Sequence, residues 1–128
     1  MFAYLEGELS YKSPSLLYMS VNGVGYELQI TLQTYSKIQQ KESCRLYTHL
    51  QIREDAWVLY GFADEQERLT FRQLLNISGV GAATARIILS SLTPDELARA
   101  IASDDARTRE KIKGIGAKTA QRILLELK

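Results

Sequence analysis

Polar and apolar residues alternate with a period of two through the first half of the chain. Val24, Tyr26, Leu28, Ile30 and Leu32 fall on one face and Gly25, Glu27, Gln29 and Thr31 on the other; Cys44, Leu46, Thr48, Leu50 and Ile52 repeat the arrangement. A period of two means strands with one side buried. Similar strands are read at about 2–9, 15–21 and 56–62, and Asn22-Gly23 stands between two of them, where a two-residue hairpin turn needs positive φ. Five short strands packed this closely predict a small barrel or sandwich, with residues 31–41 left as a short helix or a loop.

At Asp64 the period lengthens to that of a helix. Asp64 followed by Glu67, and Thr93-Pro94-Asp95-Glu96, both read as capping boxes, the second with proline at the favoured first helical position. Helices are expected near 65–76, 82–91, 94–102, 105–112 and 117–127, with Phe71, Leu74 and Leu75 on the core side of the first. No proline- or glycine-rich linker separates the halves. The predicted fold class is therefore α+β, a strand domain over 1–63 and an all-α domain over 64–128.

The composition, with 45% hydrophobic and 24% charged residues in 128, is that of a globular chain and leaves room for one ordinary domain or two small ones. No apolar run approaches the roughly 20 residues of a membrane-spanning helix. The start, Met1-Phe2-Ala3-Tyr4-Leu5-Glu6, lacks the basic opening of a signal peptide, so a cytoplasmic setting without membrane association is expected. A single cysteine, Cys44, forms no internal disulfide and supplies no cysteine zinc site; it is read as a small buried apolar residue. Sixteen basic against fifteen acidic side chains leave a net charge of +1, well short of the basic balance that by itself marks a nucleic-acid binder. Any anion site must be local.

Such a site emerges when the second half is compared with itself. Residues 78–92, SGVGAATARIILSSL, align without gaps to 113–127, KGIGAKTAQRILLEL, with eight identities in fifteen. In each copy the apolar positions after the glycines, Ala85, Ile88, Leu89, Leu92 and Ala120, Ile123, Leu124, Leu127, follow helical spacing. The repeated unit is helix, glycine hairpin, helix. Gly79 and Gly81 bracket Val80, and Gly114 and Gly116 bracket Ile115. The glycines let the chain turn sharply onto the apolar anchor and present main-chain N–H groups at a helix N-terminus. Those amides and the positive end of the helix dipole suit a phosphate oxygen, without raising the net charge. Phosphate contacts carry no base information, so binding should be indifferent to sequence.

A lone glycine hairpin often does no more than end one helix and begin another; the matched second copy is what favours a ligand. The copies differ, since Ser78, Ala83 and Ile87 of the first become Lys113, Lys118 and Arg122 in the second, which should bind phosphate more strongly. Thr84 and Thr119 can each add a hydroxyl in the first helical turn.

These hairpins, together with Asn22-Gly23-Val24-Gly25-Tyr26-Glu27, Thr48-His49-Leu50-Gln51-Ile52-Arg53-Glu54-Asp55-Ala56 and Leu59-Tyr60-Gly61-Phe62, resemble the RuvA family of bacterial Holliday-junction branch-migration proteins. The resemblance spans essentially the whole chain. It implies an N-terminal five-stranded OB-fold barrel followed by tandem helix-hairpin-helix motifs, assembled as a homotetramer, or as an octamer on DNA, around a four-way junction. It assigns duplex binding to Gly79, Val80 and Gly81 and to Gly114, Ile115, Gly116, Lys118 and Thr119, and makes Glu54 and Asp55 an acidic pin at the crossover. Arg53 would attract phosphates just outside the pin. The implied partners are the RuvB ATPase motor, reached through a third helical domain that the sequence ending at Lys128 lacks, and the RuvC resolvase. No cofactor, metal or catalytic residue is implied.

By its residues alone the Arg53-Glu54-Asp55 corner reads as a solvated turn between strands; it is the resemblance that makes Glu54 and Asp55 a pin. His49, the sole histidine, is read as a surface residue; Tyr4, Tyr18, Tyr26, Tyr47, Tyr60 and Trp57 lie on strands, available to stack on single-stranded bases but more simply barrel packing or subunit contacts. Two rival functions are a glycosylase or lyase, whose catalytic aspartate would follow one helix beyond the hairpin, and a single-strand or duplex DNA-binding module without junction preference.

Overall fold

The computed structural model describes residues 1–103, which fall into two compact units, the first ending at Arg68 and the second beginning at Leu69. The first unit holds β1 (Tyr4–Lys12), β2 (Leu16–Val21), β3 (Val24–Gln29), α1 (Leu32–Ile38), β4 (Ser43–Ile52), β5 (Trp57–Phe62) and the start of α2 (Glu65–Leu75); the second holds the rest of α2, α3 (Ala82–Ser91) and α4 (Pro94–Ser103). The helices expected at 105–112 and 117–127 lie outside the described residues.

The five strands close into a barrel in the order β1-β2-β3-β5-β4. Neighbours run antiparallel except β3 and β5, which run parallel and meet in register only at Gln29 and Tyr60. This is the OB-fold order, so the barrel reading holds and the sandwich alternative falls. The β2–β3 hairpin turns through Asn22 and Gly23, at φ 51° and 88°, the two positive values a primed turn demands.

Leu5, Leu17, Met19, Leu28, Ile30, Ile38 and Leu46 fill the barrel. Small residues admit this packing where strands crowd. A Cβ on Gly7 would lie 2.3 Å from the Ser20 carbonyl oxygen, and one on Gly61 would lie 2.9 Å from Leu28 Cδ2. The β1–β2 register also slips between Leu9 and Tyr11, and such a bulge tightens the strand curvature a closed barrel needs.

The alternation overshoots at strand ends. β3 stops at Gln29 because Thr31 takes the N-cap of α1, its hydroxyl accepting from Thr34 N at 3.1 Å, so Leu32 opens a helix and is half exposed. Residues 31–41 thus contain the short helix. β1 runs three residues beyond the expected end. Cys44 is only half-buried, and the desolvation this brings pushes its thiol pKa up against the pull of Lys41 and Lys12.

The capping box at Thr93 forms in both directions, Glu96 Oε1 accepting from Thr93 N at 3.0 Å and Thr93 Oγ1 from Glu96 N at 3.1 Å. The one read at Asp64 does not. Glu67 turns into the barrel unit, where it accepts from the Thr31 and Thr34 hydroxyls at 2.8 and 2.6 Å, and Asp64 pairs with Lys37. Arg68 donates to Ala3 O at 2.6 Å and lies over the Tyr47 ring. The first turn of α2 is fastened to the barrel by these polar contacts. In the second unit Phe71, Leu74, Ile77, Val80, Ala82, Ala85, Ile88, Leu89, Leu92, Leu97 and Ala100 are buried, while Leu75 is only half-buried. Among the described residues no helix is long and apolar enough to cross a membrane.

Candidate nucleic-acid interface

The first glycine hairpin joins α2 to α3 through Asn76–Gly81. Its chain is wound by short backbone bonds: Asn76 N to Gln73 O at 3.2 Å, Ile77 N to Leu74 O at 3.1 Å and Val80 N to Ile77 O at 3.0 Å. The turn passes through Gly79 at φ 88°, a left-handed conformation that favours glycine. Ile77 and Val80 are buried on either side of it while Gly79 and Gly81 face solvent. Val80 is the anchor the sequence suggested.

Gly81 is the N-cap of α3. Its φ and ψ, −91° and 178°, are open to any residue, no side chain caps the helix here, and its carbonyl accepts from Ala85 N at 2.9 Å. A Cβ at this position would meet nothing among the described residues within 4 Å. Among the described residues, neither the backbone nor the packing requires glycine at 81. Its effect is to leave the N-terminus of a ten-residue helix without a side-chain cap among the described residues, with early amides that have no carbonyl one turn back to bond and a dipole that favours an anion. Ala83 is exposed and Thr84 half-buried in that first turn. Gly114, Ile115, Gly116, Lys118 and Thr119, the second copy, lie outside the described residues.

Glu54 and Asp55 occupy the tip of the β4–β5 hairpin. Ile52 pairs with Trp57 as the last rung, and Arg53 N donates to Ala56 O at 2.8 Å to close the turn. Residues 53–56 are all exposed, and among the described residues neither carboxylate joins an ion pair. Two like charges held together without a counter-ion repel phosphate.

Other residues depart from a uniform reading of strand aromatics. Tyr60 is buried and Tyr26 and Tyr47 are half-buried, whereas Tyr4, Tyr18 and above all Trp57, 70% exposed, face solvent. Arg45 lies 4.1 Å over the Tyr4 ring and pairs with Glu6, which commits that cation within the barrel surface. His49, half-buried, places Nε2 at 3.1 Å from Gln51 Oε1. Sequence reasoning missed the exposure of Trp57; its place directly after the hairpin turn, where a strand has outrun the barrel, is the signal that marks it.

The two halves match separate families: residues 1–61 match the RuvA N terminal domain, and residues 71–128 the SAM-like helix-hairpin-helix tandem. Over its whole length the chain is 51% identical to the Holliday junction branch migration complex subunit RuvA of Christiangramia forsetii, covering 66% of that relative. The protein of the same description from Bacteroides fragilis is also 51% identical, with 64% of it covered. That of Chromobacterium violaceum is 47% identical, with 66% covered. The chain spans about two thirds of the length of these curated relatives.

Proposed function

This chain belongs to the RuvA family, and from that premise we propose that it is a non-catalytic DNA-binding subunit that recognises four-way junctions by shape and holds them open for branch migration in recombination and repair. The observation that carries the reading is Gly81, a glycine that nothing among the described residues requires, placed where its missing side chain leaves a helix N-terminus without a side-chain cap. A DNA phosphate is the anion that fits both that corner and its repetition 35 residues later.

In this reading residues 1–63 carry assembly and the acidic pin, and residues 64–128 grip the duplex arms. Gly79, Val80 and Gly81 hold one phosphate run of an arm. Gly114, Ile115, Gly116, Lys118 and Thr119 hold the other, with Lys118 adding a cation to the amides. Four copies around the crossover supply one pair of hairpins per arm and bring eight carboxylates, Glu54 and Asp55 of each copy, to the centre. There the like charge turns the strands aside and disfavours a closed, stacked junction. The proposed partners are a RuvB-type ATPase that drives migration and a RuvC-type resolvase, in the bacterial cytoplasm.

The test is a gel shift of a four-way junction against linear duplex and single strands of matched sequence, across a salt series, beside a light-scattering mass. Tighter binding of the junction, a steep salt slope and a mass of four or eight subunits are expected. Equal affinity for linear duplex, or preference for single strands, would replace this reading with the DNA-binding module that lacks junction selectivity.

A further inference from the structure

Upstream of the single β3–β5 rung at Gln29 and Tyr60 the two parallel strands part, and a groove opens between them. It is lined by Phe2 before β1, by Gly25, Tyr26, Glu27 and Gln29 of β3, by Leu50, and by Trp57, Val58 and Leu59 of β5, and it encloses about 320 Å³. That volume is at the lower end of the range for small-molecule clefts, about 300–1,000 Å³. Three aromatic rings contribute to the walls. Gly25 leaves open space where a side chain would project, and the groove's one charged residue is Glu27. Trp57, the most exposed of the three aromatics, is also the first residue after the acidic turn.

We propose that this groove receives one unpaired nucleobase from a DNA strand parted at the crossover, stacked on Trp57 with its amino or imino N–H groups turned to Glu27. The proposal rests on the junction-binding reading and adds a ligand to a surface that reading leaves empty. Aromatic side chains take any base by its face, and a carboxylate accepts from the N–H donors on a base edge. The charges sort the parts of a nucleotide: Glu27, Glu54 and Asp55 push the phosphate outward, while the uncharged base suffers no such repulsion. A captured base would hold a separated strand open between steps of migration.

Trp57 is the chain's sole tryptophan, so its own emission reports on the groove. With the full chain, a four-way junction is expected to quench Trp57 fluorescence, while linear duplex at equal saturation leaves it unchanged. A junction carrying abasic sites at the crossover nucleotides should bind without quenching. Trp57→Ala and Glu27→Gln should each weaken junction binding about fivefold or more with linear-duplex affinity retained, and Trp57→Phe should restore binding. The proposal is overturned if the abasic junction quenches as well as the intact one, or if a bound junction leaves the emission unaltered. It is equally overturned if Trp57→Ala lowers the subunit number by light scattering, because the strip is then a self-association face. Failure of the unmodified chain to prefer the junction at all would remove the functional reading itself, and the gel shift records that separately.

Discussion

Thr34 donates its hydroxyl hydrogen to Glu67 Oε1 at 2.6 Å, across 33 residues of chain. The same hydroxyl oxygen accepts from Ala63 N at 3.0 Å, and Thr31 donates to the other carboxylate oxygen. A buried carboxylate thus binds the first turn of α2 to the N-terminus of α1 and to the end of β5. Burial pushes the Glu67 pKa up, opposed by the two hydroxyls and by Lys37, with nearby Asp64 adding to the rise.

The sign of that shift predicts a pH dependence. Because the folded state holds its proton more tightly than the unfolded chain, the stabilising contribution is complete below the ordinary glutamate range and is lost as pH rises through the elevated folded value. Urea unfolding at a series of pH values from about 4 upward should show this decline, and Glu67→Gln should flatten it. Glu67→Ala should destabilise at every pH by about 1–3 kcal/mol, since it strands two buried hydroxyls. An equal pH slope in Glu67→Gln and the unmodified chain would contradict this assignment.

The two glycines of the first hairpin should separate folding from binding. Gly79→Ala forces a side chain into φ 88° and should cost about 1–2 kcal/mol of stability, read as a lowered denaturation midpoint. Gly81→Ala meets no atom of the described residues and should leave the midpoint nearly unchanged while weakening duplex binding severalfold, because its methyl group would stand where the proposed phosphate approaches. Fluorescence anisotropy with a labelled duplex measures the second effect. Unimpaired binding by Gly81→Ala would place the phosphate elsewhere.

Lys118 offers a count of charge. Its removal by Lys118→Ala should weaken binding about equally for duplexes of different sequence and reduce the slope of log affinity against log salt by about one. An unaltered slope would take this lysine away from the DNA backbone.

The proposed repulsion by the acidic hairpin gives its neutralisation an unusual direction. Glu54→Gln combined with Asp55→Asn should tighten junction binding in a gel shift and alter the course of migration by the assembled motor complex. Folding should be unaffected, because both side chains are exposed at a turn closed by the backbone of Arg53 and Ala56. Weaker junction binding by the double variant would refute a repelling pin.

Much of this molecule is legible in local pattern. The two-residue turn at Asn22-Gly23, the Thr93–Glu96 capping box and the helix over 82–91 follow from spacing, since each rests on contacts within a few residues. Gly79, Val80 and Gly81 come together as a corner for the same reason. The errors lie where a residue's partner is distant in sequence. Asp64 and Glu67 have the spacing of a capping box, yet Glu67 finds better donors in Thr31 and Thr34 and Asp64 pairs with Lys37. Leu32 continues a period-two pattern but is claimed by the helix that Thr31 caps.

The amino-acid order alone determined the two kinds of secondary structure, the change of period between them at Asp64, and the repeated glycine corner, because hydrophobic period and backbone freedom act over one or two turns of chain. Only the tertiary structure decided that the strands close in the order β1-β2-β3-β5-β4, that β3 and β5 part into a groove, and that Trp57 stands in water at its edge. Strand order and exposure depend on which distant surfaces exclude water from one another, and no local spacing records that choice.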